Sequence, residues 1–406
     1  MKAAFVCALA LAGCSNKDAA TKPRARDAAV ISTDAARPPA DAAQADAPAA
    51  PQIRGLFELP AIKGNTDNLF GSELALSDTE LFIGESLAGN GRVHVYAFEN
   101  DAWKKTATLQ PGKTGNFGAD VDVDGDTLAV SAIEDRQRGK SAGAVFVFER
   151  KAGAWKQTAK LVPDKPNYQF GWQLALSGNT LVVGAPWDAG NAHRGSVFVY
   201  ERVDGTWKLS TTLVAPTRTG TDLFGYDVAV SGDHIAVGSL SAKGAPKDSG
   251  AAYVFERGPD GTWPLVSTLV SDDRSARDSF GNDVALVGDA VIVGAPAHVG
   301  GMLRGAVYVF QRKPDGYLQT QRLQPDESQA LDYYGDSIAA LGDSVVVSAY
   351  GTGAAWLYEY RAGTLTQVDY VDGGRGFGST ITLGPDHMAA AMDGRVHGVA
   401  SFAIKR

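Results

Sequence analysis

An aromatic residue followed directly by glycine recurs seven times along the chain, at intervals of 47, 53, 54, 56, 54 and 43 residues. The seven pairs are Phe70-Gly71, Phe117-Gly118, Phe170-Gly171, Phe224-Gly225, Phe280-Gly281, Tyr334-Gly335 and Phe377-Gly378. A local phrase that returns at such a period is typical of repeat architectures, in which each repeat is one supersecondary unit. The chain is therefore predicted to be an array of seven similar units and not a mosaic of unrelated domains.

The unit that begins at Phe224 shows its strands most clearly. Residues 228–231 and 234–238 show a strand-like alternation of side chains and flank a Gly-Asp turn. They are followed by a long loop, residues 251–257, a Pro-Asp-Gly turn and residues 263–270. Short alternating segments between such turns indicate β-strands, and no window carries a 3.6-residue apolar period over helical length. Seven units of four strands predict an all-β fold, a seven-bladed β-propeller of four-stranded antiparallel blades.

The last unit contains one strand too few. After Phe377 only three strand-like segments follow, at residues 381–383, 388–392 and 396–404. Residues 52–60 stand before the first aromatic-glycine pair, where the other units have their fourth strand. We predict that this N-terminal strand completes the last blade and closes the ring, because closure removes an unpaired sheet edge.

The first residues predict export and lipid attachment. Lys2 precedes a short apolar run, and Leu11-Ala12-Gly13-Cys14 places small residues before a cysteine, as at a processed export signal. These four residues resemble the bacterial lipobox, which implies a lipoprotein signal peptide at 1–13, lipidation of Cys14 and, with Ser15 after it, transfer to the outer membrane. The expected location is the bacterial cell envelope, with the membrane contacted only through the lipid anchor. An ordinary signal peptide with a chance cysteine is the alternative.

Residues 14–51 are predicted to be a disordered tether. They consist mainly of Ala, Pro and Asp with scattered Lys and Arg, and they contain almost no large apolar side chains. Such a segment cannot bury enough apolar surface to offset the entropy that ordering costs. The predicted propeller therefore occupies residues 52–406.

The repeat resembles the FG-GAP repeat of the integrin α-subunit propeller, and it is most similar to the bacterial branch of that family. The resemblance rests on the Phe-Gly that opens each unit and on Val182-Val183-Gly184-Ala185-Pro186 and Val291-Ile292-Val293-Gly294-Ala295-Pro296 at the ends of second strands. It spans roughly residues 53–406 and implies a propeller that serves as a binding or adhesion module. Only the third and fifth units keep the full Gly-Ala-Pro.

Propellers of the integrin type often carry calcium in an Asp-rich loop, and Asp120-Val121-Asp122-Val123-Asp124-Gly125-Asp126 resembles the start of an EF-hand loop. Aligned with the other units, however, this segment is a strand followed by a two-residue turn. The glutamate that an EF-hand needs at its twelfth position is also missing. We therefore predict no metal site and no cofactor, and we interpret the carboxylates as a solvated strand face or as the lining of the axis. Calcium is the alternative.

Long loops are predicted to gather on one face of the disc. In a meander, the connections from strand two to three and from four to the next blade emerge on the same face, and here these are the long ones. Long loops on a rigid scaffold usually carry recognition. The expected ligand-binding residues of this face are Arg136, Tyr168, Trp187, Asp188, His193, Arg194, Lys247 and Arg304. The alternative for any one of them is an ordinary solvated surface position.

Composition and motifs restrict the function. A net charge of −8 and a pI near 5.3 argue against nucleic acid, whose phosphates are bound by clustered Lys and Arg. The sequence contains no His-Glu-x-x-His, no Gly-x-Ser-x-Gly and no Walker loop, so we do not expect an enzyme. We predict a monomeric envelope lipoprotein that binds a protein or a glycan. The alternatives are a calcium-assisted hydrolase or lyase with its site at the axis, and a structural scaffold of the envelope.

Overall fold

The computed structural model describes residues 55–64, 68–164, 169–187, 194–217, 222–240, 249–273, 278–297, 304–325, 332–374, 376–392 and 398–405. These residues form twenty-eight β-strands and no α-helix, and the strands assemble into seven antiparallel sheets of four strands. The all-β fold and its seven blades are therefore confirmed. No helix within the described ranges has the length and apolar character needed to cross a bilayer. The predicted signal peptide, Cys14 and the predicted tether lie outside the described residues.

Each blade begins with its aromatic-glycine pair, and blades 1 to 7 are numbered in that order. The inner strands, which face the axis, are β2 (Phe70–Leu76), β6 (Phe117–Asp124), β10 (Leu174–Ser177), β14 (Phe224–Ser231), β18 (Val284–Val287), β22 (Tyr334–Leu341) and β26 (Phe377–Leu383). The second strands are β3 (Glu80–Glu85), β7 (Thr127–Ala132), β11 (Thr180–Ala185), β15 (His234–Ser239), β19 (Ala290–Ala295), β23 (Ser344–Ala349) and β27 (His387–Met392).

The outer half of each blade is a hairpin. The third strands are β4 (Arg92–Glu99), β8 (Ala144–Lys151), β12 (Ser196–Val203), β16 (Ala251–Glu256), β20 (Ala306–Lys313), β24 (Ala354–Arg361) and β28 (Gly398–Lys405). The outer strands are β5 (Ala102–Leu109), β9 (Ala154–Leu161), β13 (Thr206–Leu213), β17 (Leu265–Leu269), β21 (Gly316–Leu323), β25 (Thr364–Asp372) and, in blade 7, β1 (Gly55–Lys63).

The N-terminal strand closes the ring, as predicted. β1 pairs with β28 in an antiparallel register that places Gly55 opposite Lys405 and Lys63 opposite Gly398. The strand continues three residues beyond the predicted end at Pro60. Its register shifts between Leu59 and Ile62, and such an irregularity accommodates a proline that has no amide hydrogen to donate.

The hydrophobic core lies between the blades. Seven large apolar clusters each combine side chains of two neighbouring blades, so that every blade junction has its own core. The junction of blades 3 and 4 shows the pattern: Val197 and Val199 of blade 3 pack with Phe224 and Val237 of blade 4. Phe224 is fully buried, so the repeated aromatic residue fills the space between blades 3 and 4.

Second-strand glycines mark the closest approach of neighbouring blades. A Cβ on Gly238 would lie 2.1 Å from the carbonyl oxygen of Gly281 in the next blade. Gly84, Gly184 and Gly294 face the next blade's aromatic-glycine pair in the same way. Since real Cβ atoms do not approach a backbone oxygen so closely, these positions require glycine.

Candidate functional site

The long connections do share one face, which we call the long-loop face, and the tight turns share the opposite one, the tight-turn face. Of the predicted ligand-binding residues, Arg136, Trp187, Arg194 and Arg304 are described, and the meander places all four on the long-loop face. Tyr168, Asp188, His193 and Lys247 lie outside the described residues. Arg136 and Arg194 are exposed, whereas Trp187 and Arg304 are half-buried.

Backbone contacts between blades hold two of these residues. The Arg194 carbonyl accepts a hydrogen bond from the Phe224 amide at 3.3 Å, and the Arg304 carbonyl accepts one from the Tyr334 amide at 3.0 Å. Arg194 therefore belongs to the junction of blades 3 and 4, and Arg304 to the junction of blades 5 and 6. The structure distributes the four described residues over blades 2, 3 and 5 and does not bring these four into one pocket.

Trp187 belongs to an aromatic cluster that we define as Trp172, Trp187 and Tyr226. The two indole rings are 4.5 Å apart at an interplanar angle of 74°, and the Tyr226 ring lies 5.8 Å from Trp172 and 6.2 Å from Trp187. Both indoles are half-buried, whereas Tyr226 is fully buried. Leu223 and Leu240, both buried, complete the packing.

The repeat positions the aromatic cluster where the inner strands begin, on the long-loop face. Trp172 and Tyr226 directly follow the aromatic-glycine pairs of blades 3 and 4, and Trp187 follows the end of β11. Equivalent positions in blades 1 and 2 carry Ser72 and Ala119. Sequence analysis selected Trp187 but missed its two partners, although a comparison of residues at this one position across the repeats would have identified both.

A cavity of about 660 Å³ runs between the inner strands at the axis. Its lining at the third position after each aromatic residue is polar in all seven blades: Glu73, Asp120, Gln173, Asp227, Asp283, Ser337 and Thr380. Asp122, Asp124 and Asp343 add carboxylates, and no Lys, Arg or His is among the described lining residues. The cavity is therefore acidic.

Several of these side chains bond to the backbone of the next blade. Oδ2 of Asp120 accepts a hydrogen bond from the Leu174 amide. Oδ2 of Asp122 accepts one from Leu176 at 2.6 Å, and Oδ2 of Asp124 accepts one from Gly178 at 2.5 Å. We call these three contacts the carboxylate ladder. It satisfies amides at the axial edge of β10, which is the innermost strand of its sheet and has no further strand to pair with.

The same contact recurs at other junctions. Asp227 accepts a hydrogen bond from the Val284 amide at 2.6 Å, and the Ser337 hydroxyl oxygen accepts one from the Ile381 amide at 3.4 Å. The Asp-x-Asp-x-Asp-Gly segment therefore has a structural role in joining blades 2 and 3. Of the two interpretations drawn from the sequence, lining of the axis is the one that the structure shows. No group of three His, Cys, Asp or Glu side chains within the described ranges is arranged to hold a metal ion.

The carboxyl group of Asp122 has a pKa far from its ordinary value. Burial in the channel wall raises its pKa to about 7, and the nearby negative charges of Asp124 and Glu73 add to the increase. Hydrogen bonds from the Leu176 and Val123 amides oppose it. The carboxyl group of Asp122 is therefore expected to gain its proton near neutral pH.

Blade 1 contains a buried polar group that sequence analysis missed. Nε2 of His94 is 2.7 Å from Oε2 of Glu85, Nε of Arg92 is 3.2 Å from the same oxygen, and the Asn68 amide donates to Oε1 at 3.2 Å. Burial lowers the pKa of His94, and its hydrogen bond to Glu85 opposes this shift. The signal in the sequence is the departure from the repeat, because blades 2 to 6 carry alanine or serine and blade 7 carries Met392 where blade 1 has Glu85.

Comparison with protein families identifies the repeat. Residues 110–148, 155–200, 207–255 and 263–310 each match the family model described as the FG-GAP repeat. The last three matches each begin in the outer strand of one blade, or two residues before it in blade 4, and end in the third strand of the next blade. No curated protein matches this chain.

Solved structures show similar propellers at low sequence identity. The β-propeller domain of Cps50 (Swd1) from Myceliophteria thermophila has a TM-score of 0.57 and 13% identity, over 86% of this chain and 100% of that one. A predicted 6-phosphogluconolactonase from Bacteroides uniformis has a TM-score of 0.53 and 11% identity, over 73% of this chain and 83% of that one. The WD40 domain of Toxoplasma gondii coronin has a TM-score of 0.52 and 14% identity, over 88% of each chain. At such identities the similarity shows the fold alone.

Proposed function

Since this chain contains FG-GAP repeats and folds as a seven-bladed β-propeller, we propose that it is a binding module whose ligand docks on the long-loop face, over the aromatic cluster. The observation that supports this proposal is the half-buried state of the Trp172 and Trp187 indoles. They rest on the buried side chains of Tyr226, Leu223 and Leu240. Aromatic side chains that are held rigidly and remain partly open to solvent contribute much of the binding energy in protein and glycan recognition.

The proposal includes a location. The lipobox-like Leu11-Ala12-Gly13-Cys14 supports a lipoprotein anchored in the bacterial cell envelope, at the outer membrane, through Cys14. The ligand would then be a protein or a glycan that this envelope meets, and the module would act as a monomer in adhesion or capture.

An enzymatic function would place its site in the acidic axial cavity, where a hydrolase or lyase could use paired carboxylates. Asp120, Asp122 and Asp227 already accept hydrogen bonds from backbone amides of the next blade. A carboxylate held in this way serves the junction between blades, so we favour binding over catalysis. A scaffold without a ligand would leave the aromatic cluster without a role.

Fluorescence titration of the mature full chain tests the proposal. Protein ligands and glycans of the bacterial envelope would be screened for a change in tryptophan emission, and ligands that bind would be titrated against Trp187→Ala. We expect Trp187→Ala to weaken binding about ten-fold or more, since aromatic anchors of an interface commonly contribute about 2 kcal/mol or more. Tyr370→Ala is the control, because Tyr370 is an aromatic residue with 46% exposure on the outer strand β25. Equal affinities of the two variants for every ligand would contradict the proposal.

A further inference from the structure

The loop of blade 2 on the long-loop face, residues 133–143, has three exposed cations. Arg136, Arg138 and Lys140 lie within five residues of one another, and all three are exposed. None of them forms an ion pair with a described residue. We call these three residues the basic loop. In a chain with a net charge of −8, these three cations, which form no ion pair with a described residue, produce a local positive field on an acidic molecule.

Two other cations at the same ends of the strands form ion pairs. Nζ of Lys160 lies 2.9 Å from Oδ2 of Asp135, and Nε of Arg322 lies 2.9 Å from Oδ2 of Asp273. The cations of the basic loop differ from these two, because they form no ion pair with a described residue. Exposed charges without internal partners remain available to an external anion.

Hydrogen bonds hold the basic loop in one conformation. The Asp135 side chain accepts a hydrogen bond from the Gln137 amide at 3.0 Å, and its backbone carbonyl accepts one from Gly143 at 3.1 Å. The Arg136 carbonyl accepts one from Gly139 at 3.2 Å. A loop that is already ordered gives up little backbone entropy when it binds a ligand.

The basic loop and the aromatic cluster meet at one junction. The Ser141 carbonyl, directly after Lys140, accepts a hydrogen bond from the Gln169 amide at 2.8 Å. The Gln169 carbonyl in turn accepts one from the Trp172 amide at 3.0 Å. Two hydrogen bonds therefore connect the end of the basic loop to the backbone of Trp172, across the junction of blades 2 and 3.

A further exposed cation belongs to the other junction of blade 3. Arg194 is exposed, and its carbonyl is bonded to blade 4 two residues before Tyr226. Blade 3, which carries both indoles, therefore has cationic residues tied by backbone hydrogen bonds to both of its junctions. A ligand that spans both junctions would contact aromatic faces in its middle and positive charges toward its ends.

From this arrangement we infer that the ligand is an acidic polysaccharide whose sugar rings stack on Trp172 and Trp187 and whose carboxylates pair with Arg136, Arg138, Lys140 and Arg194. This inference rests on the proposed function and names its ligand class. Indole faces suit the C–H faces of pyranose rings, and guanidinium groups bind carboxylates in a bidentate manner. A charged chain of repeating sugars supplies both features.

Titration with oligogalacturonate and with a neutral galactose oligomer of equal length, at low and at high salt, tests the inference on the mature full chain. We expect the acidic oligomer to bind more tightly, with an affinity that falls as salt screens the pairing. R136Q/R138Q/K140Q should weaken its binding about ten-fold, since exposed ion pairs contribute about 0.2 to 1 kcal/mol each. K105Q/K156Q/K208Q makes the same change of charge on outer strands, at exposed lysines away from the long-loop face, and should bind as wild type.

Four outcomes would overturn the inference. The two oligomers could bind equally, with Trp187→Ala weakening both, and the proposed function would then stand without an acidic ligand. The two triple variants could lose affinity equally, which would indicate general attraction by charge. Polyglutamate could bind in place of either sugar in a manner sensitive to Trp187→Ala, which would identify a protein ligand. If no oligomer or polymer binds, the inference fails, and the ligand screen under Proposed function tests that proposal separately.

Discussion

Glycine is required in this fold for two separate reasons, backbone conformation and space, and these can be measured apart. Gly281 has a φ of +85°, and a Cβ there would lie 2.4 Å from the Ala251 carbonyl oxygen. Gly232, in the turn between β14 and β15, has a φ of +54°, but no atom lies within 4 Å of the place that a Cβ would occupy. The pair therefore distinguishes strain alone from strain combined with a steric clash.

We expect Gly281→Ala to destabilise the protein by about 3 kcal/mol or more, because an overpacked position adds to the cost of a left-handed residue. Gly232→Ala should cost only about 1 to 2 kcal/mol. Urea unfolding of both variants, followed by far-UV circular dichroism, measures the difference. Equal losses would show that the clash at Gly281 is relieved by movement of the neighbouring blade.

A second prediction at this scale concerns Asp122. Its pKa of about 7 in the folded protein lies above its ordinary value of 3.8, so the folded state retains a proton that the unfolded state has lost. The stabilisation from this proton is fully present at pH values below about 4 and is lost as the pH rises toward 7. Asp122→Asn keeps a side-chain oxygen that can accept the hydrogen bond from the Leu176 amide, and it removes the titratable carboxyl group.

Melting temperatures at pH 5 and pH 8 test this prediction. We expect the decrease in Tm from pH 5 to pH 8 to be a few degrees smaller for Asp122→Asn than for wild type. Asp126→Asn serves as the control, since Asp126 is an exposed carboxylate in the turn that follows β6. Parallel slopes for wild type and Asp122→Asn would contradict a titration of Asp122 in this range.

Residue roles that depend on one strand could be predicted from the sequence, and roles that depend on register between strands could not. The burial of Phe224 and the close approach at Gly238 followed from the repeated pattern itself. The contact of Asp122 with Leu176 depends on how β6 lies beside β10. The pair of Glu85 and His94 likewise depends on the register of β3 against β4, which no local pattern specifies.

Among the structural elements, the third strands are connected by charge around the tight-turn face. Arg257 of blade 4 lies 2.8 Å from Glu201 of blade 3, and Arg312 of blade 5 lies 2.7 Å from Glu256 of blade 4. Arg257 also lies over the Trp263 ring of its own blade, at 5.8 Å from the ring centroid. The Glu-Arg at the ends of these strands is therefore a contact between blades.

The pattern of contacts changes at blade 6. Tyr360 occupies the position of the arginine, and its hydroxyl donates to Oδ1 of Asp289 in blade 5 at 2.5 Å. This hydrogen bond lowers the pKa of Asp289, and burial with the same partner raises the pKa of Tyr360. A hydrogen bond replaces the ion pair and still links neighbouring blades.

The closing strand is the element whose removal should cost most. Deleting residues 52–63 would leave the β28 edge without its partner and would expose part of the cluster between blades 6 and 7, to which Leu56 contributes. It would also remove the hydrogen bond from the Leu56 amide to Asp369 in blade 6, at 2.6 Å. We expect a decrease in Tm of more than about 10 °C, since several kcal/mol are lost and each shifts Tm by about 2 to 4 °C.

Differential scanning calorimetry of this deletion, beside a chain that lacks only residues 1–51, measures the effect. The shorter truncation keeps β1 and should melt as the full chain does. An unchanged melting curve after loss of residues 52–63 would refute the role of β1 in holding the ring closed. The sequence predicted this strand because the last unit lacked its fourth, but it did not predict the extension to Lys63, which depends on the irregular pairing around Pro60.

At the scale of the whole molecule, all seven junctions have their own apolar cluster, so no blade is terminal in the structure. Lys405 lies opposite Gly55 at the tight-turn end of blade 7. A two-residue turn could therefore join them, as such turns join the third and outer strands of other blades. The position of the chain ends is then a matter of connectivity and not of packing.

A circular permutant tests this equivalence. Lys405 would be joined to Gly55 through Asn-Gly, a dipeptide suited to a two-residue hairpin turn, and new ends would be opened between Asp260 and Gly261. The closing strand is then β17 of blade 4 in place of β1. We expect a single cooperative transition with a Tm within about 5 °C of the parent, because about 1 to 2 kcal/mol is the scale of such a change. A permutant that fails to fold would show that blade 7 is specialised for closure.

The register of β1 also determines the face of the propeller at which the N-terminal segment is attached. The chain enters β1 at Gly55 on the tight-turn face, and the aromatic cluster and the basic loop lie on the opposite face. A lipid on Cys14, as proposed, would be attached through the predicted tether to the tight-turn face, which leaves the recognition surface on the face opposite the attachment. Tension between a captured ligand and the anchor would then act along β1, so that its hydrogen bonds to β28 would be sheared together and not unzipped one at a time.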